Sequence, residues 1–333
     1  MFLDELKIVN VRNIEHLSIK FDHKRNYIIG ENGSGKTTIL ESIVTSLYRK
    51  SFRTSKIEEL KSINSPFLSI SSIFIKNGLN YTFTFNYSDK KKLHLINNKK
   101  IDKLLNIISH FPLIVHSPYY EGLTDKSNRN KLTFLDKIVI LADKSYKENL
   151  SKFNKLLKHK RKLITESNDT KLINTINDLL SEIYELIYKK RKNFLEQLNM
   201  RLKDYESTKK ISIELKKNKT KDVFLNELAL KKILLTQYSQ KIYITSENKN
   251  IENLLSFGQK KELSIFIIYS FLKIIEEIIK DGIIILLDDF EAGLDESKVK
   301  NFYEIFSDNQ LILTGVDNKY LSGINTICLK GVK

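Results

Sequence analysis

The chain has 333 residues, of which 29% are charged, and its 56 Lys and Arg against 40 Asp and Glu give a formal net charge of +16. One cysteine, Cys328, excludes an internal disulfide and fits a reducing cytosol; six scattered histidines show no metal-ligand spacing, and no nucleophile triad is visible. The longest apolar-rich segment, Leu263 to Ile275, contains two serines and Lys273 and falls short of a membrane span, while the acidic opening Met-Phe-Leu-Asp-Glu lacks the order of a signal peptide, so the expected setting is cytoplasmic with no membrane partner.

Residues 1 to about 110 read as an N-terminal strand pair, a glycine-rich turn with its helix, and strands at Phe67 to Ile75 and Tyr81 to Tyr87 separated by a turn at Asn77-Gly78. Tyr27-Ile28-Ile29 forms a short apolar strand running into Gly30-Glu31-Asn32-Gly33-Ser34-Gly35-Lys36-Thr37, a complete G-x-x-x-x-G-K-[ST] string. Ile39, Leu40, Ile43, Val44 and Leu47 then recur at helical spacing. The glycines let backbone N–H groups converge on one spot, where the helix N-terminus adds partial positive charge. Lys36 is suited to the β- and γ-phosphates, Thr37 to Mg²⁺, and Thr38 closes the phosphate-binding segment. A nucleoside triphosphate is the ligand this pattern implies.

Residues 111–210 read as a mostly helical insert. Leu156, Leu157, Leu163 and Ile164, then Leu179, Leu180, Ile183, Leu186 and Ile187, are spaced for helices to pack on one another, with lysines on the outer faces. Residues 151–220 hold 18 Lys or Arg against 9 Asp or Glu, more than half of the chain's excess in a fifth of its length. Without aromatic-basic interleaving, such a field suits duplex phosphates rather than base reading. From 211 to 333 strands return, followed by Leu255-Ser256-Phe257-Gly258-Gln259 and a long apolar helix for which Ser256 is the expected N-cap. Ile283 to Leu287 is an uninterrupted apolar strand ending in Asp288-Asp289, then Ala292-Gly293-Leu294-Asp295, with closing strands at Leu311 to Leu313 and Thr326 to Leu329. At the tip of a central parallel strand, Asp288 is placed to hold the metal and Asp289 to polarise water.

The order of these motifs resembles the ATPase heads of the ABC superfamily: an α/β, ABC-type P-loop head with an inserted, mostly helical subdomain. Within it, Leu6 to Ile14, Thr38-Ile39-Leu40-Glu41-Ser42-Ile43 and Lys50-Ser51-Phe52-Arg53-Thr54-Ser55 are similar to segments of the RecF family, with looser likeness at Ser117-Pro118 and Phe134-Leu135-Asp136. The resemblance implies ATP and Mg²⁺ as ligands and a homodimer in which Ser256, Gly258 and Gln259 of one copy cover the triphosphate held by the other, with Asp295 at the interface. It implies catalysis by Asp289 and Lys36, binding to double-stranded DNA near gaps, and work with RecO- and RecR-type mediators in DNA replication and repair after damage and in the SOS response. Phe257 replaces the Glu or Arg common in that family, and Gly315 follows Thr314 where ABC transporters usually place a histidine that senses the γ-phosphate. With that histidine missing and Asp rather than Glu ending the strand, weak ATP hydrolysis is expected. A transporter ATPase subunit, or an ATP-gated DNA clamp with negligible turnover, shares the same motifs.

Overall fold

Alternating buried and open residues make Phe2–Val11 the first strand, β1, paired antiparallel with β2 (Ile14–Lys20). The computed structural model describes residues 1–101, 107–108, 110–166, 169–217, 220–279, 282–306, 308–317 and 323–329. They form two units: Met1–Glu121 with Phe257–Leu272 and Ile279–Lys333, and Gly122–Ser256 with Lys273–Ile278.

The first unit contains two sheets. One is antiparallel, in the order β2-β1-β4-β5-β6-β7, adding β4 (Phe67–Lys76), β5 (Leu79–Ser88), β6 (Lys91–Ile96) and β7 (Lys99–Lys100). The left-handed Asn77 and Gly78 turn β4 into β5, as the Asn-Gly pair anticipates. The other sheet is parallel, in the order β14-β3-β13-β12-β8, with β3 (Arg25–Ile29), β8 (Leu113–His116), β12 (Ile284–Leu287), β13 (Gln310–Gly315) and β14 (Asn325–Cys328). Helix α1 (Lys36–Tyr48) packs against β1, β4, β5 and β13, and twelve of its thirteen residues are buried. Its interior hydroxyls are satisfied within the helix: Ser42 donates to the Thr38 carbonyl, Thr45 to that of Glu41 and Ser46 to that of Ile43, each at 2.8 Å.

The second unit joins three helices, α2 (Asn128–Ala142), α3 (Lys144–Glu166) and α4 (Thr170–Leu202), to a small antiparallel sheet in the order β11-β10-β9. Its strands are β9 (Ile211–Lys216), β10 (Lys241–Ser246) and β11 (Lys249–Asn250), and α5 (Thr220–Leu230) lies between the first two in sequence. Ser127 caps α2 and Asp169 caps α4, each accepting from the third N–H onward. In the interior, Arg191 is fully buried, its Nε and Nη2 fork onto Asp136 at 2.8 and 2.9 Å, and its Nη1 donates to Gln237 O and Gln240 Oε1, both at 2.9 Å. Helix α7 (Glu296–Ile305) and most of α6 (Phe257–Glu276) belong to the first unit.

Three sequence expectations are corrected. Leu113–His116, inside the expected helical insert, is β8 of the parallel sheet; four residues buried on both faces are too short to declare a period. The strands between residues 211 and 250 pair with one another rather than with either sheet of the head, so the second unit continues to Ser256. Lys160, expected to project outward, is buried against Glu227, which also accepts from the Leu234 and Leu235 amides, and Leu179 and Leu186, expected to pack between helices, are 37% and 45% exposed.

Candidate nucleotide site

The C-terminal tips of β3, β12 and β13 come together because all three run parallel, which is where open α/β sheets place ligands. From β3 the chain enters the phosphate loop. Gly33 and Gly35 have φ of +84° and +99°, the left-handed region that favours glycine, and a Cβ on Gly35 would lie 3.2 Å from the Ile14 side chain. Gly35 is also the N-cap of α1 and supplies no capping side chain, so the first-turn amides remain available to an anion. The Lys36 ammonium folds back over the loop and donates to the Gly30 carbonyl at 2.6 Å and to that of Glu31 at 2.9 Å. Ser34 Oγ is buried with no hydrogen-bond partner, as a hydroxyl waiting for an acceptor in the loop would be.

Thr37 and Asp288, 251 positions apart, meet: the Thr37 hydroxyl lies 3.1 and 3.0 Å from the two Asp288 carboxylate oxygens. Thr314 on β13 donates to Asp288 Oδ1 at 2.7 Å, and its Oγ1 accepts from the Asp289 amide at 2.9 Å. Burial pushes the Asp288 carboxyl up; Thr314 opposes the rise, the neighbouring Asp289 adds to it, and Thr37 and Arg53 also oppose it. Asp289 itself takes a left-handed φ of +49°, a conformation that Asp tolerates better than most residues and that concentrates at functional sites.

From α6, the Lys261 ammonium donates to the Asp289 carbonyl and, at 2.9 Å, to that of Ala292. Burial pushes its pKa down to about 8 against the pull of Asp289, Asp288 and Glu291. His116, which closes β8, is driven to about 3 by burial, with Lys261 beside it, so its ring is neutral at physiological pH.

A cleft of about 770 Å³ opens beside the loop, lined by Asn32, Gly33, Gly35, Lys36, Thr37, Thr38 and Asp289 together with Arg12, Asn13, Arg53, Lys61 and Tyr119 among others. Sequence reasoning assigned no role to this last group. Asn13 donates to the Gly33 carbonyl at 2.9 Å and accepts from Thr38 at 3.4 Å, which gives Thr38 a loop-bracing partner. Arg12 and Arg53 both reach the fully buried Glu41, and Arg53 lies 5.0 Å from the Tyr119 ring centroid. The signal was present in Arg12-Asn13 and in the Ser51-to-Ser55 segment, but the spacing of a motif does not say which side chains border the same cavity.

Ser256, Gly258 and Gln259 stand at the start of α6 and do not line the cleft. A Cβ on Gly258 would lie 2.6 Å from the Gly293 carbonyl oxygen, and one on Gly293 would lie 2.7 Å from the Phe257 ring, so these two glycines permit a close backbone approach. Asp295 caps α7, accepting from the Lys298 amide at 2.9 Å, and this bond together with the Ser297 hydroxyl holds its carboxyl below the usual range.

A family model described as an AAA domain matches residues 5–264, which include both the phosphate loop and the Ser256 segment. The chain belongs to this family. Curated relatives named DNA replication and repair protein RecF are 28% identical in Clostridium tetani, covering 96% of this chain and 95% of the relative, and 26% identical in Clostridioides difficile, covering 95% and 92%. A solved structure of the recombination mediator protein RecF with ATPrS superposes with a TM-score of 0.83 at 21% identity, covering 99% of this chain and 96% of the other. The Smc head domain from Pyrococcus furiosus is more distant, at 0.53 and 16%. These similarities run over nearly the full length of the chain, and the fold is the one shared by the RecF structure and the Smc head, an ABC-type head.

Proposed function

We propose that this chain is a RecF-like DNA-repair ATPase that binds ATP and Mg²⁺ in the cleft, pairs with a second copy around the bound nucleotide, and grips double-stranded DNA near gaps until slow hydrolysis releases it. The observation that carries the reading is the junction of Thr37, Asp288 and Thr314 at the mouth of a glycine loop whose helix has no capping side chain. Thr37 and Asp288 fit a divalent cation that keeps most of its oxygen ligands from phosphate and water; among the described residues no cluster of three or more His, Cys, Asp or Glu forms a closed cage. Bound Mg²⁺ would neutralise charge on the β- and γ-phosphate oxygens. In this reading Lys36 moves from the Gly30 and Glu31 carbonyls to phosphate, and Asp289 orients the attacking water. Thr314 holds Asp288 and the Asp289 amide in register.

Slow turnover is supported at Gly315. A Cβ there would lie 1.9 Å from the Tyr27 hydroxyl, so the position following Thr314 has no room for the histidine that ABC transporters use. Ser256 and Gly258 serve the nucleotide of the opposite copy, which accords with their absence from the cleft lining of their own chain. DNA binding is supported by α3, where Lys152, Lys155, Lys158, Arg161 and Lys162 are exposed within three helical turns and form no ion pair among the described residues. The names of its relatives support a place in the RecFOR pathway with RecO- and RecR-type mediators.

Gel filtration and duplex binding with and without ATP test the reading on wild type, Lys36→Met and Ser256→Arg. Lys36→Met should lose nucleotide binding. Ser256→Arg should bind ATP yet fail to form the ATP-dependent dimer; normal ATP-driven dimerisation of that variant would overturn the assignment, as would a turnover well above about one per second for the wild type. Replacing Lys152, Lys155 and Lys162 by Gln should flatten the log-log salt dependence of duplex binding by up to about three.

A further inference from the structure

Helix α4 carries an apolar stripe that is exposed among the described residues. Leu172, Leu179, Leu186 and Met200 are 38%, 37%, 45% and 69% exposed, and they fall on one seven-residue repeat whose remaining position is the exposed Asn193. Buried residues of the same helix, among them Ile173, Ile176, Leu180, Ile183 and Ile187, already supply the face that packs within the second unit. The stripe is therefore a second face. Successive heptad positions lie about 10.5 Å apart, so it runs along some 40 Å of straight helix.

At its centre one pair of charges reads the same way from either end with the sign reversed. On the exposed surface between the leucines, Glu182 lies N-terminal to Leu186 and Lys189 lies C-terminal to it, and neither makes an ion pair among the described residues. If a second α4 is laid antiparallel with a two-fold axis at Leu186, the two Leu186 side chains meet at the centre. Glu182 of each copy then faces Lys189 of the other, Leu179 faces Asn193, and Leu172 faces Met200. A parallel arrangement would instead set Glu182 against Glu182 and Lys189 against Lys189. Self-complementarity about a two-fold is what an isologous contact requires, whereas a helix from an unrelated protein needs no such symmetry.

We infer that α4 is a second association surface, through which two copies of this chain pair antiparallel about Leu186 whether or not nucleotide is bound. The contact is one helix wide, which places it among small, weak interfaces with a dissociation constant on the order of 10–100 μM. It is distinct from the ATP-dependent pairing proposed for the Ser256 segment.

Sedimentation of the full chain without nucleotide and with EDTA, over concentrations spanning that range, tests it. The expected result is a reversible monomer–dimer equilibrium that Ser256→Arg leaves unchanged. Leu186→Lys should weaken it at least about tenfold, and Glu182→Lys should weaken it several-fold, with the double variant Glu182→Lys/Lys189→Glu returning to within about twofold of wild type. All three positions are exposed, so circular dichroism melting should be unaltered and separates loss of pairing from loss of fold. A wild type that stays monomeric throughout the range overturns the inference. So does a Leu186→Lys variant that pairs as well as wild type, or a charge-reversed double variant no better than Glu182→Lys.

Discussion

Adding one methyl group at Gly315 is the sharpest test of how the end of β13 is built. Its ideal Cβ falls 1.9 Å from Tyr27 Oη, 2.7 Å from Cζ and 3.1 Å from Cε2. Tyr27 is wholly buried on β3, which is hydrogen-bonded to β13 on one side and β14 on the other, so the ring has no open direction in which to swing. Relief requires the ring tip to retreat by more than about 1 Å in a close-packed interior, and overpacking of this kind costs about 1–3 kcal/mol, occasionally more. For a unit of 150–250 residues that is a fall in Tm of about 2–4 °C per kcal/mol. Tyr27→Phe removes the atom that makes the worst overlap, and the 2.7 Å approach to Cζ remains. A double-mutant cycle followed by urea unfolding should therefore show Gly315→Ala costing less in the Tyr27→Phe background, with an interaction energy of at least about 1 kcal/mol. Additive effects, or a single Gly315→Ala cost below about 0.5 kcal/mol, would refute the steric account and with it the explanation for the absent histidine.

Two further outcomes follow from buried charge. Arg191→Met should destabilise the second unit by about 3–5 kcal/mol, because it strands Asp136 in the interior; pairing it with Asp136→Leu should recover part of that loss, and equal denaturation midpoints for wild type and Arg191→Met would contradict the reasoning. His94 is pushed down to about 4 by burial, its Nε2 donating to the Ser46 carbonyl at 2.6 Å while its buried Nδ1 has no partner. The unfolded ring titrates near 6.5, so the folded state binds fewer protons between those values. Stability from this group is complete above about pH 6.5 and is lost as pH falls toward about 4. His94→Gln should shrink the acid-side decline by up to about 3 kcal/mol, which chemical denaturation at pH 7 and pH 4.5 would measure.

The site was legible where chemistry forces local sequence. Gly33 and Gly35 must be glycine for their φ values, Lys36 and Thr37 follow at fixed offsets, and Asp288 ends an apolar run that only a covered parallel strand accommodates. What could not be read was anything set by tertiary partners. Leu113–His116 looks like part of a helical region until β12 lies beside it. Lys160 looks like its exposed neighbours until Glu227, 67 positions away, buries it. Leu179 and Leu186 carry the same apolar signal as Leu180 and Ile187, and the helix's rotation about its own axis alone decides which pair faces the interior. Arg12, Arg53 and Tyr119 converge on one cleft from three separate segments.

The described contacts also tie the acid pair to the start of α6. Thr314 bonds both the Asp288 carboxylate and the Asp289 amide, so β13 fixes the acid pair from one side. Lys261 bonds the Asp289 and Ala292 carbonyls, so α6 fixes the same turn from the other. Gly258, one turn earlier on α6, sits against the Gly293 carbonyl with no space for a side chain. A displacement of the N-terminal turn of α6 is therefore transmitted through Lys261 and the Gly258–Gly293 contact to the backbone bearing Asp289, because close-packed groups have few intermediate positions. Under the proposed function, in which a second copy engages the Ser256 segment, these contacts give that segment a route to Asp289 through α6.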